Sequence, residues 1–318
     1  NPGAYDPDGD SLSYKLTACT AEGGAAISNY TLPKYSKSLS VDPRTGDLIW
    51  DAPVEAGNYN VALLVEEWRN NVKIGTVVRD MQITVIETSN KPPQNPPFRN
   101  YCVLAGDTIA FDFTVTDPDN NKITVQASGA PFESSLLTSK ATLTIVSSTG
   151  GSANARFFWK TNCSAVRKLP WSILVKSKDS VVNIVTNGPG MDTITQSLAD
   201  IDNFTITVVA PPPLLTGAAA LNDTVRLTWI PDSCTGVKGY YIYRRQDKYP
   251  YVIDSCKGGI SEGSGYVLVG TVNSGSITQY SDHNNGNGLF QGAEYCYVIV
   301  AFFADGALSL PSNELCVT

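Results

Sequence analysis

At 318 residues, 42% of them hydrophobic and 17% charged, the chain exceeds what one sandwich core accommodates and carries enough apolar mass for two or three packed units of roughly 100 residues each. A net charge of −7 repels a phosphate backbone, and no run of Lys or Arg is long enough for a basic groove, which excludes nucleic acid as a partner. The longest apolar run, residues 295–304, is about half of the ~20 residues a bilayer-spanning helix needs, so no membrane span is expected. Fifteen Tyr against two Met, with abundant Thr, Val, Ser and Gly, suit half-buried pleated surfaces and tight turns, and the fold class read from composition is all-β. The first residue is Asn, with no charged-then-apolar segment before it; both ends are expected to be domain boundaries in a longer parent protein.

In chain order, DSLSYKL, DLIW, NYNVALLV and TVVRDMQITVI alternate or run apolar over strand length, separated by DPDG, RTGD, EAG and RNN turns. SNKPPQNPPF, residues 89–98, is the first linker, because proline lacks an N–H and its fixed φ disfavours a central strand. The second piece repeats the plan with TIAFDFTV, DPDNN, KITVQA, ARFFWK, WSILVK and FTITVV. DPDGDSLSYKLTA and DPDNNKITVQASGA, with closing strands MQITVI and FTITVV, form an internal repeat with diverged middles. APPPLL, residues 210–215, is the second linker, followed by VRLTW, GYYIYRR and EYCYVIVAFF. The expected organisation is three tandem β-sandwiches at residues 1–90, 91–211 and 212–318. Stacked sandwiches make a rod, although short proline linkers equally hold a bend.

The first two pieces resemble the cadherin-like and dystroglycan-like immunoglobulin-type domains of bacterial surface proteins, chiefly through LSVDPRTGDLIWDAP. The third resembles a fibronectin type III domain, its VRLTW, GYYIYRR and EYCYVIVAFF followed by SLPSNELCV reading as strands B, C, F and G. Leu289, Gly292 and Tyr295 fall at the spacing of that family's tyrosine corner, in which the hydroxyl bonds back to backbone. Trp229 then reads as a core anchor.

Seven Cys without a close CxxC pair argue against zinc sites and thioredoxin-type chemistry. If Asp305-Gly306 is a two-residue turn, Cys296 faces position 315, and one bulge near Pro311 moves that to Cys316. Cys234 and Cys256 flank strand C and are expected to staple the loop after it, and Cys102 with Cys163 to tie the second unit internally. Cys19 is left either as a buried free thiol or as half of a bridge to a neighbour. Three such pairs imply an oxidising compartment, hence export to the cell surface or medium, and each adds on the order of 2–4 kcal/mol.

His283, the single histidine, sits in the loop-like SDHNNGNG, so Ser-His-Asp and two-His metal schemes lack their parts. Glycosidase chemistry needs only two carboxylates, but the candidates are turn Asp residues or Glu66-Glu67 at a strand end, and no catalysis is expected. Asp6, Asp8 and Asp10 place alternate carboxylates on a tight turn that suits calcium, a cation wanting six to eight oxygens. Asp117 and Asp119 are a weaker copy, with Asn120-Asn121 in place of Gly-Asp. The competing reading of both is hairpin chemistry, with Asp capping its own backbone. No cofactor other than calcium is indicated.

Taken together, TVVRDMQITV, FFWKTNCSAVRKLPWSILVKSKD, GYYIYRR, Cys256, Gly265-Tyr266, YCY and PSNELCV resemble the large surface proteins associated with gliding motility and type IX secretion in Bacteroidota, over nearly the whole chain. The family's C-terminal sorting domain is not present, so export by that route is what the resemblance implies. Asp-Ser/Thr-apolar triplets resembling the O-glycan acceptor pattern of such bacteria place candidates at Ser11, Thr108, Ser180, Thr193 and Thr224. The expected function is non-catalytic and structural or adhesive, with surface or secretion-machinery proteins or extracellular glycans as partners. The alternatives are an accessory segment of a polysaccharide-degrading enzyme, contacting sugar through Trp68, Tyr249 and Tyr251, and a subunit of a surface filament or secretion complex.

Overall fold

A computed structural model of the chain describes residues 3–6, 10–187, 190–248, 250 and 252–318, without the side chains of 182–195. It is all-β, and each sheet draws its strands from one of the three pieces delimited by the proline segments. In the first, β1 (Ser11–Thr17), β2 (Tyr35–Val41), β3 (Leu48–Pro53), β4 (Gly57–Arg69) and β5 (Val72–Val85) form a sheet in the order β1-β4-β5 and a β2-β3 hairpin. Asn70 and Asn71 both take positive φ, 50° and 64°, which matches the twist of a tight hairpin and lets β4 and β5 pair over their whole length. Asp42 closes the other turn, its Oδ1 accepting the Arg44 and Thr45 N–H groups at 2.8 and 2.9 Å.

The second piece holds β6 (Tyr101–Leu104), β7 (Thr108–Thr116), β8 (Lys122–Ser128), β9 (Thr142–Thr149), β10 (Ser152–Lys160), β11 (Trp171–Asn187), β12 (Gly190–Gln196) and β13 (Ala199–Val209). One sheet is β7-β10-β9; in the other, β11 lies between β13 and β8 and then continues as a hairpin with β12, an extension the sequence reading does not anticipate. Alternate residues of β8 and β10 are buried, the period-2 signature of a sheet with one dry face. Phe157, Trp159, Ile173, Phe204 and Ile206, each at most 1% exposed, form the centre of this core.

The internal repeat is visible in the pairing. β1 and β8 each follow an Asp-Pro-Asp segment of the sequence and lie against a long strand, β4 or β11, which pairs in turn with the closing strand β5 or β13. The second unit also has β6, parallel to β13, and β7 beside β10. Among the described residues the first unit has no counterpart of either, and Ile49 on β3 and Val77 on β5 remain 53% and 65% exposed.

Among the described residues the third piece is a sandwich of seven strands, β14 (Leu214–Leu221), β15 (Thr224–Ile230), β16 (Gly239–Gln246), β17 (Val267–Val272), β18 (Gln279–Asp282), β19 (Tyr295–Phe302) and β20 (Leu315–Val317), with sheets β14-β15-β18 and β17-β16-β19-β20. β19 is buried along nearly its whole length, which explains its unbroken apolar run. Trp229 is 3% exposed and meets Tyr240 edge-on at 5.1 Å. The Tyr295 hydroxyl accepts the Phe290 N–H at 3.2 Å, the bond that defines the tyrosine corner.

The pieces are not strung end to end by free linkers. Lys91 N–H donates to Asp119, Gln94 bridges Thr116 and Asn95 N–H donates to Asp200, which pins the first proline segment onto the second unit. Tyr14 and Arg44 of the first unit and Arg167, Trp171 and Thr205 of the second line one cavity, so the first unit lies alongside the second.

Candidate functional site

Cys102 is bonded to Cys256 and Cys163 to Cys234, with Cα–Cα separations of 5.2 and 5.1 Å. This corrects the expectation of Cys102–Cys163 and Cys234–Cys256. Cys102 on β6 sits beside Thr207, close to where β13 hands over to the second linker, and Cys163 lies in the turn after β10. Both therefore face the third unit, and bridging depends on Cβ geometry rather than on nearness along the chain. Cys296 and Cys316 are cross-strand partners and are bonded. Phe302 faces Leu308 and the Phe303 N–H donates to Ala307, so the loop is longer than the expected two-residue Asp305-Gly306 turn, and the register shifts by two residues rather than one around Pro311 before Cys296 faces Cys316. There the Ser309 and Ser312 hydroxyls stand in for strand backbone, accepting the Ala301 and Ile299 N–H groups at 2.9 Å each. Cys19 is a buried free thiol.

The second and third units are also joined by backbone. Leu310 N–H donates to Ala210 at 3.0 Å, and the Lys168 N–H donates to Asp305 Oδ2 at 2.8 Å. The end of β1 and β4 reaches the same place. Asp10, Ser11, Trp68, Arg69 and Asn70 face Lys168, Leu169, Ala304 and Asp305 across a cleft of about 480 Å³ to which all three units contribute.

The structure brings Asp6 and Asp10 together with Glu67, three carboxylates within 4.8 Å of one another; Asp8 lies outside the described residues. The Asp10 carboxylate is held by Arg69, with Nε at 2.9 Å and Nη2 at 2.6 Å, and that guanidinium keeps the Asp10 carboxyl below the usual carboxylate range. Asp6 Oδ1 accepts the Asp10 N–H at 2.9 Å. Burial and the neighbouring Asp6 and Asp10 push Glu67 up. Turn capping and an arginine partner thus occupy this site, and Arg69, 59 residues from Asp10, was not legible as its partner. The second copy differs. Asp117 Oδ1 accepts the Asp119 and Asn121 N–H groups at 2.9 Å each, whereas its Oδ2 is buried with no hydrogen-bond partner. Asn121 Nδ2 donates to Asn90, and Asn90 Nδ2 donates to the buried Asp179 at 2.5 Å. That orphaned oxygen is open to a cation, but among the described residues three carboxylates converge only at Asp6, Asp10 and Glu67.

Other candidate groups are spoken for. His283 is exposed, and its Nδ1 accepts the Gly286 N–H at 3.0 Å, which closes a 3₁₀ turn. Glu66 accepts Lys15 at 2.7 Å and Lys73 at 3.4 Å. Glu66 and Glu67 are successive strand residues and point to opposite faces, so they do not converge on one bond. In the third unit, Arg244 and the Tyr297 hydroxyl donate to the buried Asp282 Oδ2 at 2.8 and 2.9 Å. Of the proposed glycan acceptors, Ser11, Thr108 and Ser180 are exposed, while Thr224 is half-buried with its hydroxyl donating to Leu221 O at 2.8 Å. The Thr193 side chain, Tyr249 and Tyr251 lie outside the described residues. Trp68 is half-buried.

No protein-family model matches the chain, and no curated protein does. Similar solved structures include the FN1-FN3 domains of chicken CNTN1, at 12% identity and TM-score 0.25 over 97% of this chain and 88% of that one. A two-domain fibronectin type III segment of chicken tenascin matches at 10% identity and TM-score 0.29 over 72% and 98%. The spore cortex lytic enzyme SleM of Clostridium perfringens matches at 16% identity and TM-score 0.24; the match spans 42% of this chain and 35% of that enzyme.

Proposed function

We propose that the chain is a non-catalytic structural and adhesive segment of a secreted cell-surface protein, in which the second and third sandwiches act as one mechanical body. The observation that carries this reading is the pair of cystines between them, Cys102–Cys256 and Cys163–Cys234. Disulfides persist in oxidising compartments, which supports export; no helix among the described residues is long and apolar enough to cross a membrane. The gliding and type IX secretion context belongs to the same proposal, on the sequence resemblance. Partners are then other surface or secretion-machinery proteins, or extracellular glycans.

Pulling the chain from its ends tests the mechanical body. With Cys102 tied to Cys256 and Cys296 to Cys316 the force bypasses loops of 154 and 20 residues, so reduction should lengthen the unfolded chain by roughly 610 Å on this account. Pairing within each unit would shield only residues 102–163, 234–256 and 296–316, worth roughly 360 Å, and that smaller gain overturns the reading. A second proposal, calcium at the junction of the first two units, draws support from the orphaned Asp117 Oδ2. A melting temperature unchanged between calcium and chelator rejects it.

A further inference from the structure

We propose that the cleft where the three units meet binds carbohydrate, stacking a neutral pyranose on the Trp68 indole. The proposal rests on the adhesive reading above and names the surface and ligand class it would use. The cleft of about 480 Å³ adjoins a second space of about 510 Å³ over Ser13, Asn70 and Asn71, with Trp68, Ser11 and Lys168 lining both. Volumes of this size are those of small-molecule sites, about 300–1,000 Å³. The indole is oriented by its own polar handle, since Nε1–H donates to Ser13 Oγ on β1 at 2.9 Å.

A pyranose has one face of C–H groups and a rim of hydroxyls that both donate and accept. Its complement is an aromatic face bordered by groups with the same double capacity. Ser11, cross-strand from Trp68, supplies a hydroxyl, and Asn70 and Asn71 at the hairpin turn supply amides; all three are exposed. The carboxylates at the rim are already engaged. Asp10 is committed to Arg69, and Asp305 accepts the Lys168 N–H through Oδ2 and the Ala307 N–H through Oδ1. Among the described residues, what they leave towards the cleft is the exposed Lys168 side chain, a cation that donates to sugar oxygens but does not balance a polyphosphate. The wall carrying Asp305 is held against the second unit by the two cystines, so the wall that faces Trp68 is formed before ligand arrives.

Titration of the intact oxidised chain with cellohexaose, laminarihexaose, mannohexaose, xylohexaose and chitohexaose, read by calorimetry and tryptophan fluorescence, tests this. At least one hexasaccharide should bind. Lys168→Ala, from the opposite wall, and Asn70→Gly, which removes the amide but keeps the positive φ of the turn, should each weaken binding several-fold without moving the melting temperature. Trp68→Ala should weaken it at least tenfold, and Trp68→Tyr, which keeps an aromatic face should the alanine variant fold poorly, should restore most of it. The proposal is overturned if no hexasaccharide binds at 10 mM, or if binding persists unchanged in the Lys168→Ala and Trp68→Ala proteins. Neither result touches the length gained on reduction, so failure of the site and failure of the mechanical reading are separable.

Discussion

Replacing Cys102 and Cys256 together by Ser removes one of the two bonds between the second and third units. The bond closes a loop of 154 residues, which removes about 5 kcal/mol of chain entropy from the unfolded state at 25 °C. With Cys163–Cys234 still closed, the path between the two positions shortens to about 85 residues and the figure falls to about 4.5 kcal/mol. At a urea dependence of about 2–3 kcal/mol/M, the midpoint should fall by roughly 1.5–2.3 M. The assay is urea denaturation of the oxidised wild type and variant, followed by tryptophan fluorescence, with free thiols counted in both. Wild type should show one reactive thiol, Cys19, and only after unfolding, because it is buried. A midpoint shift under about 0.3 M, or a peptide map joining Cys102 to Cys163, would refute the reasoning.

Asp282→Ala leaves Arg244, 15% exposed at its side chain, without its carboxylate, and should cost the third unit roughly 3–5 kcal/mol in urea; a loss under about 1 kcal/mol contradicts a working buried pair. Tyr295→Phe removes the acceptor of the Phe290 N–H and should cost about 1 kcal/mol, with no loss meaning that water replaces the hydroxyl. Burial pushes the Asp232 carboxyl up, and its Oδ2 has no hydrogen-bond partner. A raised acid favours the folded state below its unfolded pKa and loses that advantage as pH rises through the folded value. Asp232→Asn should therefore raise the melting temperature at pH 7 and leave it nearly unchanged at pH 3; equal shifts at both would show that charge is not the cause.

Features legible in the sequence are local. VRLTW and ARFFWK alternate because one face of β15 and of β10 is dry, and the spacing of Leu289, Gly292 and Tyr295 encodes a turn that closes within six residues. The Asp-Pro-Asp segments were also readable, but not what their carboxylates meet. Arg69 reaches Asp10 only because β1 and β4 pair, and the orphaned oxygen of Asp117 arises only once the chain packs around it. Trp68 was readable as an aromatic with sugar-binding potential, while the facing wall, Lys168 and Asp305, comes from two other units.

The sequence by itself determined the all-β class, the two proline breaks, the repeat of the first two units and the Cys296–Cys316 pair, though not the register between its strands, because each depends on periodicity or on neighbours along the chain. Only the tertiary structure decided which cysteines join the second and third units, how the first lies alongside the second and where the three meet. Those contacts link residues 71 and 154 positions apart in the two cystines. A strand's period reports which face is dry, and carries no information about which distant loop comes to rest beside it.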